Sequence, residues 1–161
     1  GWRIGWAVAP GGDGVLAKGM TRLQSQMTSG IPTFLMPAAV KALEDQPVRS
    51  GAMREVFAER ARLVAELLSG IDRFRVVPPS GAFYAFPDIS GCFGRTSPGG
   101  RAIDSAGTFA EALLEEKEVA VVPGDDFGEI ARSHIRISFA CSDDQIRDGV
   151  ARIRDWVDSL E

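Results

Sequence analysis

Two arginines lie within apolar, strand-like runs of this chain, and they are its first candidates for binding chemistry. Arg3 follows Trp2 in residues 1–10, and Arg136 lies in residues 134–140. Because an unpaired buried charge is costly, each guanidinium is expected to meet an anion. For Arg3 the anion is either a protein carboxylate or a ligand phosphate.

Alternation along residues 134–140 places Arg136 on the small, polar face of its strand. One face carries Ile135, Ile137 and Phe139, and the other carries His134, Arg136, Ser138 and Ala140. A guanidinium above small neighbours leaves room for a planar anion held by two parallel hydrogen bonds. From these residues alone, a structural salt bridge is favoured over a ligand site.

Turn signals and periodicity predict that helices dominate the first half of the chain. A helix capped by Asp13 runs from Val15 to Met27, and a short helix covers residues 34–43. Residues 45–47 then break the pattern at a proline, and a long amphipathic helix covers residues 50–68. Residues 2–8 read as a mostly buried strand.

The second half predicts short antiparallel strands covered by helices. Residues 74–77 and 82–87 read as an antiparallel pair, and residues 88–103 as a mobile or lid-like loop. Further strands are predicted at residues 119–122 and 135–140. A helix begins at residue 104 or 105, and the last helix begins with a capping box at residues 142–145.

Composition indicates a globular chain outside several functional classes. Of 161 residues, 45% are hydrophobic and 25% charged, with a net charge of −4, so neither a basic nucleic-acid surface nor a membrane span is predicted. Cys92 and Cys141 have no metal-ligand spacing, and His134 is the single histidine. We therefore expect free thiols, no metal site and a cytoplasmic location.

Five segments, in order, resemble fold-type-I pyridoxal-phosphate aminotransferases (class I/II), and most of all the bacterial aspartate aminotransferases. They are Gly-Trp-Arg-Ile-Gly at 1–5, residues 24–33, Pro-Ser-Gly-Ala-Phe-Tyr at 79–84, residues 119–128 and Arg-Ile-Ser-Phe-Ala at 136–140. The resemblance implies an α/β fold, here a C-terminal fragment. Residues 1–50 would be a remnant of the large domain, 51–70 a connecting helix, and 71–161 an α+β small domain with a short antiparallel sheet.

The resemblance also assigns both arginines. It implies that Arg3 binds the phosphate of pyridoxal 5'-phosphate and that Arg136 binds the α-carboxylate of an amino-acid or 2-oxo-acid substrate. The family's Schiff-base lysine precedes the Gly-Trp-Arg segment, so no catalytic residue is expected in this chain. Lys18, Lys41 and Lys117 read as surface residues. The implied activity is amino transfer from aspartate to 2-oxoglutarate, in a homodimer.

Alternatives to this function remain open. The chain is either part of such an enzyme, or a non-catalytic fragment or interaction module, or part of another fold-type-I enzyme. Around Arg136, we interpret Tyr84 as a packing residue and His134 as structural. Residues 124–128 either rim the substrate entrance or form a bare turn, and Ser29 either caps a helix or approaches a neighbouring subunit's site.

Overall fold

The structure is a computed structural model that describes residues 3–11 and 14–161, with the side chains of residues 46–49 outside the description. The chain forms two compact units, Gly1–Ala52 and Met53–Glu161. It is a mixed α/β protein with short antiparallel strands, as the sequence predicts.

Helices form most of the first unit. Helix α1 spans Val15–Met27 and follows Gly14, whose φ of 63° lies in the left-handed region. Helix α2 spans Leu35–Ser69 without interruption, so the break predicted at residues 45–47 is wrong. A proline removes one helical hydrogen bond, but the flanking alanines, leucines and charged residues favour the helix on both sides. The cap predicted at Asp13 lies outside the described residues.

The opening strand is also a wrong prediction for the residues that the structure describes. Residues 3–10 have no regular secondary structure, and Trp6 and Val8 are 67% and 81% exposed. A strand requires a neighbouring strand to take up its backbone hydrogen bonds. None exists in the described part of Gly1–Ala52. Trp2 lies outside the described residues.

A three-stranded antiparallel sheet organises the second unit. Strand β5, Ile135–Ser138, lies at its centre between β1, Tyr84–Ala85, and β4, Val122–Pro123. The predicted pairing of residues 74–77 with 82–87 is wrong, since β1 pairs with β5 and residue 75 makes only an isolated bridge to Asp88. The prolines at 78 and 79 lack the N–H donors that would extend such a ladder.

The segment predicted as a mobile loop, residues 88–103, is anchored instead. Strands β2, Arg95–Thr96, and β3, Ala102–Ile103, pair antiparallel within it. Ile89, Cys92 and Ile103 are fully buried. The backbones of residues 96 and 161 also exchange two hydrogen bonds. A few buried apolar side chains therefore order a stretch rich in glycine, serine and proline.

Two capped helices complete the second unit. Helix α3 spans Ala106–Lys117 and α4 spans Asp143–Asp158, each beginning with a capping box, and the box at residues 142–145 confirms the prediction. The predicted buried face of the last helix is also confirmed, at Ile146, Val150, Ile153, Val157 and Leu160. Trp156 is fully buried among them, and its Nε1–H donates to Glu116 at 2.9 Å.

Across the described ranges 3–11 and 14–161, no helix has the length and apolar character needed to cross a bilayer. The same ranges contain no group of three His, Cys, Asp or Glu side chains placed to hold a metal ion. Both cysteines are free thiols, as predicted. Burial raises the pKa of Cys92 to about 11, although Arg73 and Arg95 oppose the shift.

Candidate functional site

Arg136 lies on the central strand of the sheet, between two aromatic rings. It is half-buried on β5, directly across from Val122 on β4. Its Cζ is 4.6 Å from the ring centroid of Tyr84 and 4.8 Å from that of Phe127. Tyr84 belongs to β1, and Phe127 follows β4 by four residues. One ring therefore reaches the guanidinium from a neighbouring strand, and the other from the turn that follows the strand on the opposite side.

The alternation predicted for this strand is confirmed. Ile135 and Phe139 are fully buried, whereas Ser138 and Ala140 are exposed. Register places Ser138 opposite Tyr84, on the same face as Arg136. The polar face of β5 thus carries a cation next to small, exposed side chains, as the sequence indicated.

The structural salt bridge favoured from the residues alone is absent from the part of the chain that the structure describes. No ion pair there includes Arg136, although nine others are formed. The aromatic faces attract the guanidinium but carry no negative charge. They also leave its N–H donors available for hydrogen bonds to another group. The arrangement suits an incoming carboxylate, which can accept two parallel hydrogen bonds.

A close-fitting turn carries Phe127. Residues Gly124–Phe127 form one 3-10 turn after β4, and the Gly124 N–H donates to the His134 carbonyl at 2.8 Å. A Cβ on Gly124 would lie 1.9 Å from the Ala131 carbonyl oxygen, so only glycine fits there. Gly128, with φ of 105°, reverses the chain after the turn. The sequence left the role of this turn open, and the structure brings it to Arg136.

Further rings support the two that contact Arg136. Phe86 meets Phe127 edge-on, with ring centroids 5.6 Å apart, and stacks on His134 at 5.0 Å. The Nδ1 of His134 lies 3.3 Å from the Ser133 hydroxyl. These contacts agree with the structural interpretation of His134. Tyr84 in turn contacts the ring of Phe83 at 4.6 Å.

Asp88 fixes the backbone beside this group, and sequence reasoning missed it. It bridges to residue 75 on one side and to His134 on the other. Its carboxylate accepts from the Ser90 N–H at 2.8 Å and from Arg75 Nη2 at 2.5 Å. Burial pushes its pKa upward, but the Ser90 and Arg75 hydrogen bonds outweigh burial and lower the pKa from 3.8 to about 2.

The other predicted site residue, Arg3, belongs to the first unit. It is exposed in a segment without regular structure and takes part in none of the ion pairs of the described residues. Its role as a phosphate ligand stays a prediction. Lys18 and Lys41 are exposed, as predicted, and Lys41 pairs with carboxylates one helical turn away. Lys117 is half-buried in the last turn of α3.

Comparisons with known proteins match almost the whole chain to one enzyme family. A model of the family described as aminotransferase class I and II matches residues 1–153. Aspartate/prephenate aminotransferase of Cereibacter sphaeroides is 42% identical over 96% of this chain and 37% of its own length. Aspartate aminotransferase of Streptomyces avermitilis is 36% identical over 96% of this chain and 36% of its own length.

Solved structures extend the likeness to the fold. The crystal structure of aspartate aminotransferase from Rhizobium meliloti matches 91% of this chain and 36% of its own, with a TM-score of 0.81 and 36% identity. Aromatic aminotransferase from Pyrococcus horikoshii matches 86% of this chain and 35% of its own, with a TM-score of 0.71 and 31% identity. The chain therefore spans little more than a third of the length of these relatives.

Proposed function

The chain belongs to the class I and II aminotransferase family, and from this premise we propose that it is the C-terminal part of a pyridoxal-phosphate-dependent aminotransferase. The whole enzyme transfers an amino group from an L-amino acid, aspartate, to a 2-oxo acid, 2-oxoglutarate. The observation that carries the proposal is the guanidinium of Arg136, held by two rings and without a carboxylate partner in the described chain. The names of the relatives support aspartate as a substrate, and 2-oxoglutarate follows from the resemblance alone.

Arg136 binds the α-carboxylate that donor and acceptor share. Two parallel N–H···O bonds fix the plane of the carboxylate, and thereby the direction of the substrate's Cα–H bond. A neutral or less forked side chain would leave that orientation free. A lysine would supply the charge as a single point and lose the planar alignment.

The residues also fit the cofactor that this family uses. Arg3 offers an exposed guanidinium, a donor set suited to a phosphate. When bound, the cofactor supplies the electron-withdrawing ring that weakens the Cα–H bond of an amino acid. The lysine that binds it covalently lies in the part of the enzyme that this chain does not span, and this fragment alone is inactive.

The two free thiols support a reducing, cytoplasmic location. The resemblance supports a homodimer.

The carboxylate role is tested by Arg136→Ala in the full-length enzyme. Losing a charged, bidentate hydrogen bond raises KM for aspartate and for 2-oxoglutarate by about 10- to 150-fold. Arg136→Lys gives a smaller increase. Arg132→Ala, which removes a nearby arginine that is 66% exposed and paired with Glu129, is the matched control and leaves both KM values unchanged. Unchanged KM values in Arg136→Ala would refute the assignment.

The phosphate role is tested separately. Arg3→Ala is expected to raise the dissociation constant of pyridoxal phosphate while the KM values at saturating cofactor stay near those of the wild type. Arg22→Ala, an exposed arginine of α1, controls for the loss of one positive charge. Equal cofactor affinity in Arg3→Ala and Arg22→Ala contradicts the role.

The fragment supplies the test against the non-catalytic alternative. The 161-residue chain is mixed with pyridoxal phosphate, reduced with borohydride and mapped by mass spectrometry. We expect only trace labelling, far below one cofactor per chain, at Lys18, Lys41 and Lys117. Stoichiometric labelling of one of them would place the cofactor lysine inside this chain. Absence of amino transfer by the full-length protein, for any pair of amino and oxo acids, would favour the interaction module.

A further inference from the structure

We infer that Phe127 is a positioning residue for Arg136, and this inference rests on the proposed function of Arg136 as the carboxylate ligand. Its effect passes through the guanidinium, whose Cζ lies 4.8 Å from the centre of its ring. Tyr84 provides the corresponding ring from the opposite neighbouring strand, at 4.6 Å.

The physical need for positioning arises from the arginine side chain itself. Arginine has many rotamers, and a guanidinium that is free in solvent must be ordered each time a substrate binds. A carboxylate partner would order it, but would also occupy the donors that the substrate needs. An aromatic face orders the cation through its quadrupole and leaves the N–H donors available. Aromatic rings are therefore suited to preorganise a guanidinium without occupying its hydrogen-bond donors.

The contacts of Phe127 and of the turn that carries it fix the position of its ring. The residue is 44% exposed, so burial alone does not hold its side chain in place. The Phe86 ring meets it edge-on, at an interplanar angle of 89°. The turn that carries it is fixed at Gly124, where the backbone approaches Ala131 too closely for any side chain. By contrast Ile130, three residues further on, is 92% exposed.

The first arm of the test uses the 161-residue chain and no substrate. The two ring currents are expected to displace the Nε–Hε signal of Arg136 in an NMR spectrum. Phe127→Leu is expected to move this signal toward the position of a solvent-exposed arginine, whereas Phe127→Tyr leaves it in place. The amide signal of Ile137, which is paired with Ala85 in the sheet, reports that the strand is intact. An unmoved Arg136 signal in Phe127→Leu overturns the inference.

The second arm measures kinetics in the full-length enzyme. Phe127→Leu is expected to raise KM for donor and acceptor alike by about two- to fivefold, with kcat changed less than KM. Phe127→Tyr restores the wild-type values because it keeps the ring. Ile130→Ala, the matched control on the same loop, leaves both constants unchanged. A fall in kcat alone, or equal effects of leucine and tyrosine, contradicts a positioning role.

The two proposals fail in different ways. If Arg136→Ala raises both KM values and Phe127→Leu does not, the positioning role is wrong and the carboxylate site stands. If Arg136→Ala has no effect on KM, the carboxylate site is wrong, and any effect of Phe127→Leu on KM then has another origin. The NMR arm decides the ring contact in both cases.

Discussion

Asp88→Asn is expected to destabilise the 161-residue chain by about 1–2 kcal/mol near neutral pH, and the loss should disappear in acid. The carboxylate is 13% exposed and accepts hydrogen bonds from the Ser90 N–H and from Arg75. Asparagine keeps the shape and one acceptor oxygen but removes the charge. The substitution therefore isolates what the negative charge contributes to folding.

The magnitude follows from the pKa of Asp88. A decrease from 3.8 to about 2 corresponds to at most about 2.5 kcal/mol, at 1.36 kcal/mol per pKa unit. Arg75 is 77% exposed, so solvent and salt screen its share of the interaction. The bond from the Ser90 backbone is less exposed to screening. Discounting the Arg75 share leaves about 1–2 kcal/mol.

The sign of the pH dependence follows from the direction of the shift. Because the folded-state pKa of Asp88 is depressed, its contribution is fully present above the unfolded-state value near 3.8. It is lost as the pH falls through about 2, below which the carboxylate is protonated in both states. Urea unfolding of wild type and Asp88→Asn across this range should give two stability curves that converge in acid.

Two controls sharpen the measurement. Asp72→Asn removes an exposed carboxylate earlier in the same segment and should change stability by less than about 0.5 kcal/mol. Arg75→Gln removes only the exposed cation and should cost less than about 1 kcal/mol. A difference between wild type and Asp88→Asn that stays constant down to the acid limit would refute the reasoning, since it would not depend on the charge.

Two further outcomes concern the glycine turn and the cysteines. Gly124→Ala should destabilise the chain by about 1–3 kcal/mol or more, because its Cβ would lie 1.9 Å from the Ala131 carbonyl oxygen. Gly149 lies in the interior of α4, and a Cβ added there would meet nothing within 4 Å. Gly149→Ala should therefore stabilise the chain by about 0.5–1 kcal/mol. Thermal melts in which Gly124→Ala is more stable than Gly149→Ala would contradict both arguments. Iodoacetamide should modify Cys141 well before the fully buried Cys92, whose pKa is raised to about 11; equal labelling rates by mass spectrometry in the native chain would show that Cys92 is accessible.

Local signals in the sequence were sufficient to predict those features that depend only on residues close together in the chain. The capping box at residues 142–145, the buried stripe of α4 and the alternation of β5 could all be predicted, and the structure confirms them. Each rests on a period or a cap that a few consecutive residues encode. Strand partners were not predictable in this way, and the partner expected for β1 was wrong. Pairing is decided by backbone donors far apart in the chain.

Buried anchors also escaped local reasoning. Residues 88–103 have the composition of a mobile loop, yet Ile89, Cys92 and Ile103 order them by packing into the core. The continuous α2 helix shows the opposite error, in which one proline was given more weight than the helix-favouring residues around it. Composition averages over a segment, whereas a few long-range contacts determine whether that segment is ordered.

The sequence by itself singled out two arginines on apolar segments and predicted that each binds an anion, which for both stays a prediction. Only the tertiary structure decided how Arg136 is held. Tyr84, Phe127 and Arg136 are separated by tens of residues or by a turn, and the order of strands in the sheet brings them together. A motif records which groups are present, but the face that a cation contacts depends on where the sheet places its neighbours.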